Sequence, residues 1–297
     1  MAIAVPATRP PRRLKLTVLR EVVRRPAGLF GLTVIGGLLV IVVLAPLLAP
    51  YGDAHQDIVH RLEPPSAAHL LGTDQLERDL LSRLLFGTRI ALGVAVPSVL
   101  AALAAGLVLG MIGGYLGGRV DNLMILVMDS MQAIPSVPLA LILIALIGPS
   151  LQNVILVIAF TFTPGYARVA RALVLAAKQD QYVETERSLG ASDVRIALVH
   201  ILPNIIAPLF VLVAMDIPSA ITVESGLSFL GLGVQPPTPS WGVILADGFD
   251  RVRETPWPVL WASLALMVAT LGFTMLGETL RDIVDPRIAG VRRWRRS

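Results

Sequence analysis

Ser130-Met-Gln-Ala-Ile-Pro-Ser-Val-Pro-Leu-Ala-Leu-Ile-Leu-Ile-Ala-Leu-Ile-Gly-Pro-Ser-Leu-Gln-Asn-Val-Ile-Leu-Val-Ile-Ala-Phe-Thr-Phe-Thr-Pro-Gly-Tyr-Ala167 contains no charged residue. A helix crossing the hydrocarbon core of a bilayer needs about 20 apolar residues, so this stretch is too long for one crossing. Gly148-Pro149-Ser150 is a turn signal inside it. The reading is two spans, 122–147 and 151–172, the first carrying Asp129. Working outward, further apolar runs place spans at about 27–50, 90–112, 205–225 and 256–278. The expected fold class is an all-α membrane protein with six transmembrane helices.

Composition agrees. Hydrophobic residues make up 55% of the 297 residues and charged residues 15%, against about 25% charge in an ordinary soluble domain. The mean hydropathy is +0.72, so lipid is the expected solvent. There is no cysteine, which excludes disulfides, thiolate metal sites and cysteine nucleophiles. The four His residues are too scattered to form a metal pair, so no metal site is expected. The net charge of +4 does not indicate nucleic acid, because the basic residues lie at the ends of apolar runs. The run 27–50 is too long for the core of a cleaved signal peptide and is read as a retained span.

Charge also orients the spans. With both termini cytoplasmic, 19 of the 25 Lys/Arg fall on the inner side, as positively charged inner loops require. Residues 1–26 then form a cytoplasmic segment, 27–280 the membrane domain and 281–297 a basic cytoplasmic tail. Leu14, Val18, Leu19, Val22 and Val23 share one helical face, the pattern of an amphipathic helix on the inner membrane surface. Gln75 to Leu92 has the same pattern, with Arg78, Asp79 and Arg83 on its polar side. It reads as a short external surface helix capped by Asp74 and leading into the second span.

Nothing in the chain can hold ATP through a P-loop. That motif needs a lysine directly after glycine, and the only lysines, Lys15 and Lys178, lack one. If ATP drives the protein, another polypeptide hydrolyses it, and no catalytic residue is expected here. The loop between the fourth and fifth spans is the most informative one. Tyr182 to Leu189 has helical composition, and Gly190 stops the helix. Ser192 caps a second one with Asp193 in its first turn, and Pro203 breaks the chain before the fifth span. A short helix lying across the end of the bundle can pass on an external push as a rigid lever.

Glu184-Thr185-Glu186, Leu189-Gly190 and Ile201-Leu202-Pro203 resemble the E-A-A-x-x-x-G signature, with its following I-x-L-P, of bacterial ABC-importer permeases. Thr185 and Glu186 replace the two alanines usual there, and Glu186 adds a charge to the expected docking face. His69 to Arg89, Glu224 to Gly242 and Leu280 to Arg287 are similar to the second-permease, C-type subunit of the dipeptide/oligopeptide/nickel group. Glu77 stands where that group usually has glycine, so the helix here is expected to start earlier. The resemblance runs from about Arg24 to Arg287. It implies a type I ABC importer permease fold in the cytoplasmic membrane, with Glu184 to Pro203 as the coupling segment. It also implies a homologous second permease, two ATPase domains or subunits carrying ATP and magnesium, and an external solute-binding protein. The implied cargo is di- or oligopeptides, with nickel or another metal chelate as the alternative.

Four further residues are pore or gate candidates. Asp129 lies within a span, where a carboxylate is costly and often functional, although water or Arg119 could meet it near the interface. Pro135, with Pro138 one turn on, would bend that span and free carbonyls toward a cavity. Asp216 and Glu224 lie in the outer half of the fifth span, facing the pore or the external boundary. An ion-coupled secondary carrier would need such acids paired near the midplane, and no intramembrane cation stands beside them. Phe229 to Gly233 is expected to fold back into the pore mouth. Trp241, Trp257 and Trp261 would suit the outer interface.

Overall fold

The computed structural model describes residues 14–52 and 61–284. The expected tail beyond residue 284 and the first residues of the amphipathic segment lie outside them. In hydrocarbon an unpaired backbone group costs several kcal/mol, and the apolar runs meet that constraint as helices. In chain order these are α1 (Leu14–Val23), α2 (Pro26–Leu48), α3 (Leu80–Leu116), α4 (Gly118–Gln132), α5 (Ser136–Ile147) and α6 (Leu151–Ala177). Then come α7 (Gln181–Ser188), α8 (Asp193–Arg195), a π turn (Ile196–Ile201), α9 (Leu202–Phe229), α10 (Trp241–Phe249) and α11 (Trp257–Val284). Among the described residues, five helices are long and apolar enough to cross a membrane, or six if the bent pair α4–α5 counts as one span. Leu39, Val43, Leu47, Leu126, Leu146, Phe160 and Met267 stand exposed around the outside, a belt that lipid would cover. The protein is an all-helical, multi-pass membrane protein.

The span 122–147 bends at Pro135 as expected, sharply enough to make two helices meeting at 88°, and two other elements differ from expectation. Pro135 takes an extended conformation as the N-cap of α5, and Pro138 sits in its first turn, where a missing N–H removes no helical bond. The external surface helix is instead the first part of α3, which runs unbroken through the membrane. Its cap is Asp79, not Asp74: the Asp79 carboxylate accepts from the Ser82 N–H at 2.8 Å and the Ser82 hydroxyl at 2.7 Å. The helix does not start early, because Glu77 keeps the left-handed bend at φ +64. Pro203 does not break the fifth span either. The π turn leads straight into α9, and Asp193–Phe229 is long and apolar enough to be a single span. A proline ring collides with the carbonyl four residues back, and widening the preceding turn by one residue relieves the collision.

The bundle is built around α3 and α6. Gly106, Gly110 and Gly114 recur every fourth residue on α3 and face α6. A Cβ on Gly106 would lie 2.4 Å from the Cβ of Tyr166, and one on Gly110 2.5 Å from the Ala167 carbonyl oxygen. Such small-residue ridges let membrane helices approach until their backbones touch. α9 packs on the same pair, and α2 and α11 pack against each other at Gly31 and Gly272. α1 is helical, and its Val22 is buried against Gly28. Arg25, which follows it, pairs with Asp282 of α11 at 3.2 Å.

Gly110→Leu is expected to destabilise the α3–α6 contact by about 1–3 kcal/mol or more through overpacking. Gly93→Ala, with no atom within 4 Å of its new methyl group, serves as the control. Thermal unfolding of the purified protein in detergent should show a lowered midpoint for the first and none for the second.

Candidate functional site

The segment after α6 rests on a small core of its own. Val183 of α7 is fully buried with Met111, Val174, Ala177, Ile196 and Ile201. Glu184, Thr185 and Leu189 are exposed on the other side. Glu184 lies in the first turn of α7, where a negative charge suits the helix dipole. Gly190 ends the helix at φ +82, and nothing lies within 4 Å of where its Cβ would be. Its glycine is therefore required by conformation and not by crowding. Ser192 Oγ accepts from the Arg195 N–H at 3.4 Å. Ile201 is buried, Leu202 half-buried, and Pro203 exposed in the first turn of α9. The eight motif residues thus divide into an outward face and its support. Glu186 departs from expectation: it is half-buried, and its carboxylate lies 3.5 Å from His200 Nε2 instead of charging the outward face.

The pore candidates do not form one group. Pro135 and Asp216 come together in a cavity of about 430 Å³ at the α4–α5 break, with Gln132, Ser136, Thr161 and Ser219. Asp129 lines a second cavity of about 400 Å³ between α4 and α6. Its partner is Arg168, whose Nη2 donates to Oδ1 at 2.6 Å, and not Arg119. Asp121 of α4 accepts a two-pronged bond from Nε and Nη2 of Arg171. Glu224 is elsewhere. It is fully buried and faces neither a pore nor an external boundary. The Ser228 and Ser225 hydroxyls donate to it at 2.8 and 3.2 Å, and Ser228 Oγ in turn accepts from the Val234 N–H. Glu224 therefore ties the Phe229–Gly233 turn to the end of α9. Trp241 is also core and not interface: it is buried and donates to the Leu84 carbonyl at 3.1 Å. Trp257 and Trp261 stack at 6.3 Å.

Sequence reasoning missed the opposite end of α3. Asp74 is wholly buried and accepts from Arg78 Nε at 2.7 Å and from Arg83 Nη1. Both arginines also reach Asp247 of α10 at 3.4 Å. His69 lies 3.1 Å from Asp79. The sequence predicts Arg78, Asp79 and Arg83 on the polar side of a surface helix, and the structure buries them instead. The Asp74–Arg78 spacing alone could not have revealed the partner on α10. The glycine ridge was missed as well, although the four-residue spacing of Gly106, Gly110 and Gly114 carries its signal.

Among the described residues, five or six candidate crossings, one of them broken beside a cavity lined by Gln132, Ser136, Thr161, Asp216 and Ser219, define a polytopic membrane protein. Residues 106–290 match the family described as binding-protein-dependent transport system inner membrane component, and 16–65 match the N-terminal TM domain of oligopeptide transport permease C. The dipeptide transport system permease protein DppC of Escherichia coli is 41% identical over 89% of this chain and 90% of its own length. The di/tripeptide transport system permease protein DppC of Pseudomonas aeruginosa is 40% identical over 86% and 88%. The protein of the same name as the first from Alkalihalophilus pseudofirmus is 36% identical over 91% and 88%. The chain belongs to the binding-protein-dependent transport system inner membrane component family, as its motifs implied.

Removing one member of a buried ion pair costs about 3–5 kcal/mol, whereas an exposed pair contributes under about 1 kcal/mol. Asp74→Asn should therefore lower the thermal midpoint in detergent strongly. Asp129→Asn should leave it nearly unchanged, because both members of its pair are more than half exposed.

Proposed function

We propose that this chain is one of two channel-forming subunits of an ATP-driven importer of di- or oligopeptides. In this reading α7 is the coupling helix through which separate ATPase subunits drive it. The observation that carries the reading is α7 itself, a short helix with one exposed face and one side chain, Val183, sunk into its own core. A load applied to that face passes through Val183 to Met111 of α3, Val174 of α6 and Ile205 of α9. Those helices line or flank the cavity that holds Asp216 and Pro135. The names of the relatives support peptides as cargo.

Arg119, Arg168, Arg171, Lys178, Arg187 and Arg195 all belong to the α7 end or its adjoining helices, which supports a cytoplasmic position for that end. Both termini are then cytoplasmic, with 27–280 as the membrane domain. The α10 end faces the external binding protein, and a homologous permease completes the path. ATP and magnesium stay on the ATPase subunits, and the permease performs alternating access with no covalent chemistry. Asp129, Asp216 and the bend at Pro135 lie where the path opens and closes.

Gly190→Val forces a β-branched residue into the left-handed region, which costs about 1–2 kcal/mol, and displaces the end of α7. In the complex reconstituted in liposomes, peptide uptake should fall at least tenfold. ATP hydrolysis and membrane insertion should persist. Normal uptake would overturn the coupling role. Peptide uptake by the purified chain alone, driven by an ion gradient, would overturn the ATP-driven reading.

A further inference from the structure

The C-terminal turn of α3 meets both flanks of α7 through one side chain. Tyr115 Oη donates to Asp193 Oδ1 at 2.7 Å, just beyond the Gly190 turn. Lys178, just before α7, donates through Nζ to the Tyr115 carbonyl oxygen at 2.8 Å and to that of Gly114 at 3.4 Å. The same ammonium lies 5.3 Å from the centre of the Tyr115 ring. Arg187, in the last turn of α7, comes within 3.8 Å of Asp193.

Each contact has a physical reason. The final carbonyls of a helix have no partner within it and carry partial negative charge, so a cation is favoured there. An aromatic face attracts the same cation. The phenol hydroxyl supplies what a phenylalanine lacks, a donor for Asp193. Packing reaches only part of the way: Met111 joins the core around Val183 and Ile196, but beside the last turn of α3 a cavity of about 460 Å³, lined by Ile112, Leu116, Val194 and Leu198 among others, opens toward α8 and the π turn. The Tyr115–Asp193 bond bridges that gap. Behind Tyr115, Gly114 lies against the Arg171 carbonyl and Val174, which seats the end of α3 on α6.

We infer that Tyr115 is a positioning residue that holds α7 in register with the α3–α6 pair, so that a displacement of α7 becomes a displacement of both long helices. This rests on the coupling reading of α7. Lys178 secures the segment before α7 and Asp193 the segment after it, and both are fixed on residue 115.

The test is the number of ATP molecules hydrolysed per peptide imported, with trialanine as the probe, in the reconstituted complex. Tyr115→Phe keeps the ring and the Lys178 contacts and removes only the bond to Asp193. It should raise the ratio at least threefold. Asp193→Ala, which removes the acceptor, should raise it similarly, and the double variant should be no worse than either single one. A merely structural role would lower hydrolysis and uptake together and leave the ratio fixed, which would overturn the inference, as would additive effects in the double variant. Failure here is separable from failure of the coupling role. If Gly190→Val uncouples and Tyr115→Phe does not, only this inference falls; if Gly190→Val also transports normally, both fall. A second readout needs no ATPase. The chain has no cysteine, so Ser188→Cys gives a single site for a spin label. In the purified full chain, Tyr115→Phe should increase the motion of that label, and unchanged motion would overturn the inference.

Discussion

The close approach of α3 and α6 is the constraint on which the other contacts depend. Lipid is as apolar as leucine, so hydrophobic burial does little to hold two membrane helices together. What remains is van der Waals contact, and that requires the backbones to touch. Gly106, Gly110 and Gly114 remove the side chains that would keep them apart. The consequence reaches both ends of the bundle. At one end the pairing brings the last turn of α3 beside Lys178 and α7. At the other it sets the first turn of α3 against α10, where Trp241 reaches the Leu84 carbonyl and the arginines reach Asp247.

Among the described residues, two kinds of ionisable site stand in contrast. Asp74, Arg78 and Arg83 are buried together, and Glu224 is buried among serine hydroxyls. Each ties a loop to a helix end. Asp129–Arg168, more than half exposed, stands beside a cavity in a region of broken helix. The first kind fixes geometry because separating it would strand a charge in an apolar interior. The second can part with little loss, because both its members are open to solvent.

The apolar runs were legible because bilayer thickness imposes a length on every crossing, and no soluble alternative competes with a run such as 27–50. The stop at Gly190 and the cap at Ser192 were legible because local backbone chemistry determines both. Where expectation failed, the cause was a partner distant in sequence or a cost borne by a neighbour. Arg83 looked solvated until α10 supplied Asp247, and Trp241 looked interfacial until Leu84 supplied an acceptor. Glu77 retained a bend that favours glycine. Pro203 was accommodated by the π turn before it, which no propensity scale marks. The joining of Pro135 with Asp216 depends on how α4, α5, α6 and α9 pack, and it could not be read from spacing along the chain.

The two kinds of charge also differ in their response to dissolved salt. The screening length is about 10 Å at 0.1 M and about 3 Å at 1 M ionic strength, but screening needs ions to come near. Asp74 and Arg83 are sealed from water, so the clamp at the head of α3 keeps its strength across a wide range of salinity. Asp129 and Arg168 are open to whatever fills the cavity beside them. A rise in ionic strength therefore weakens the Asp129–Arg168 pair while the Asp74 clamp keeps its hold.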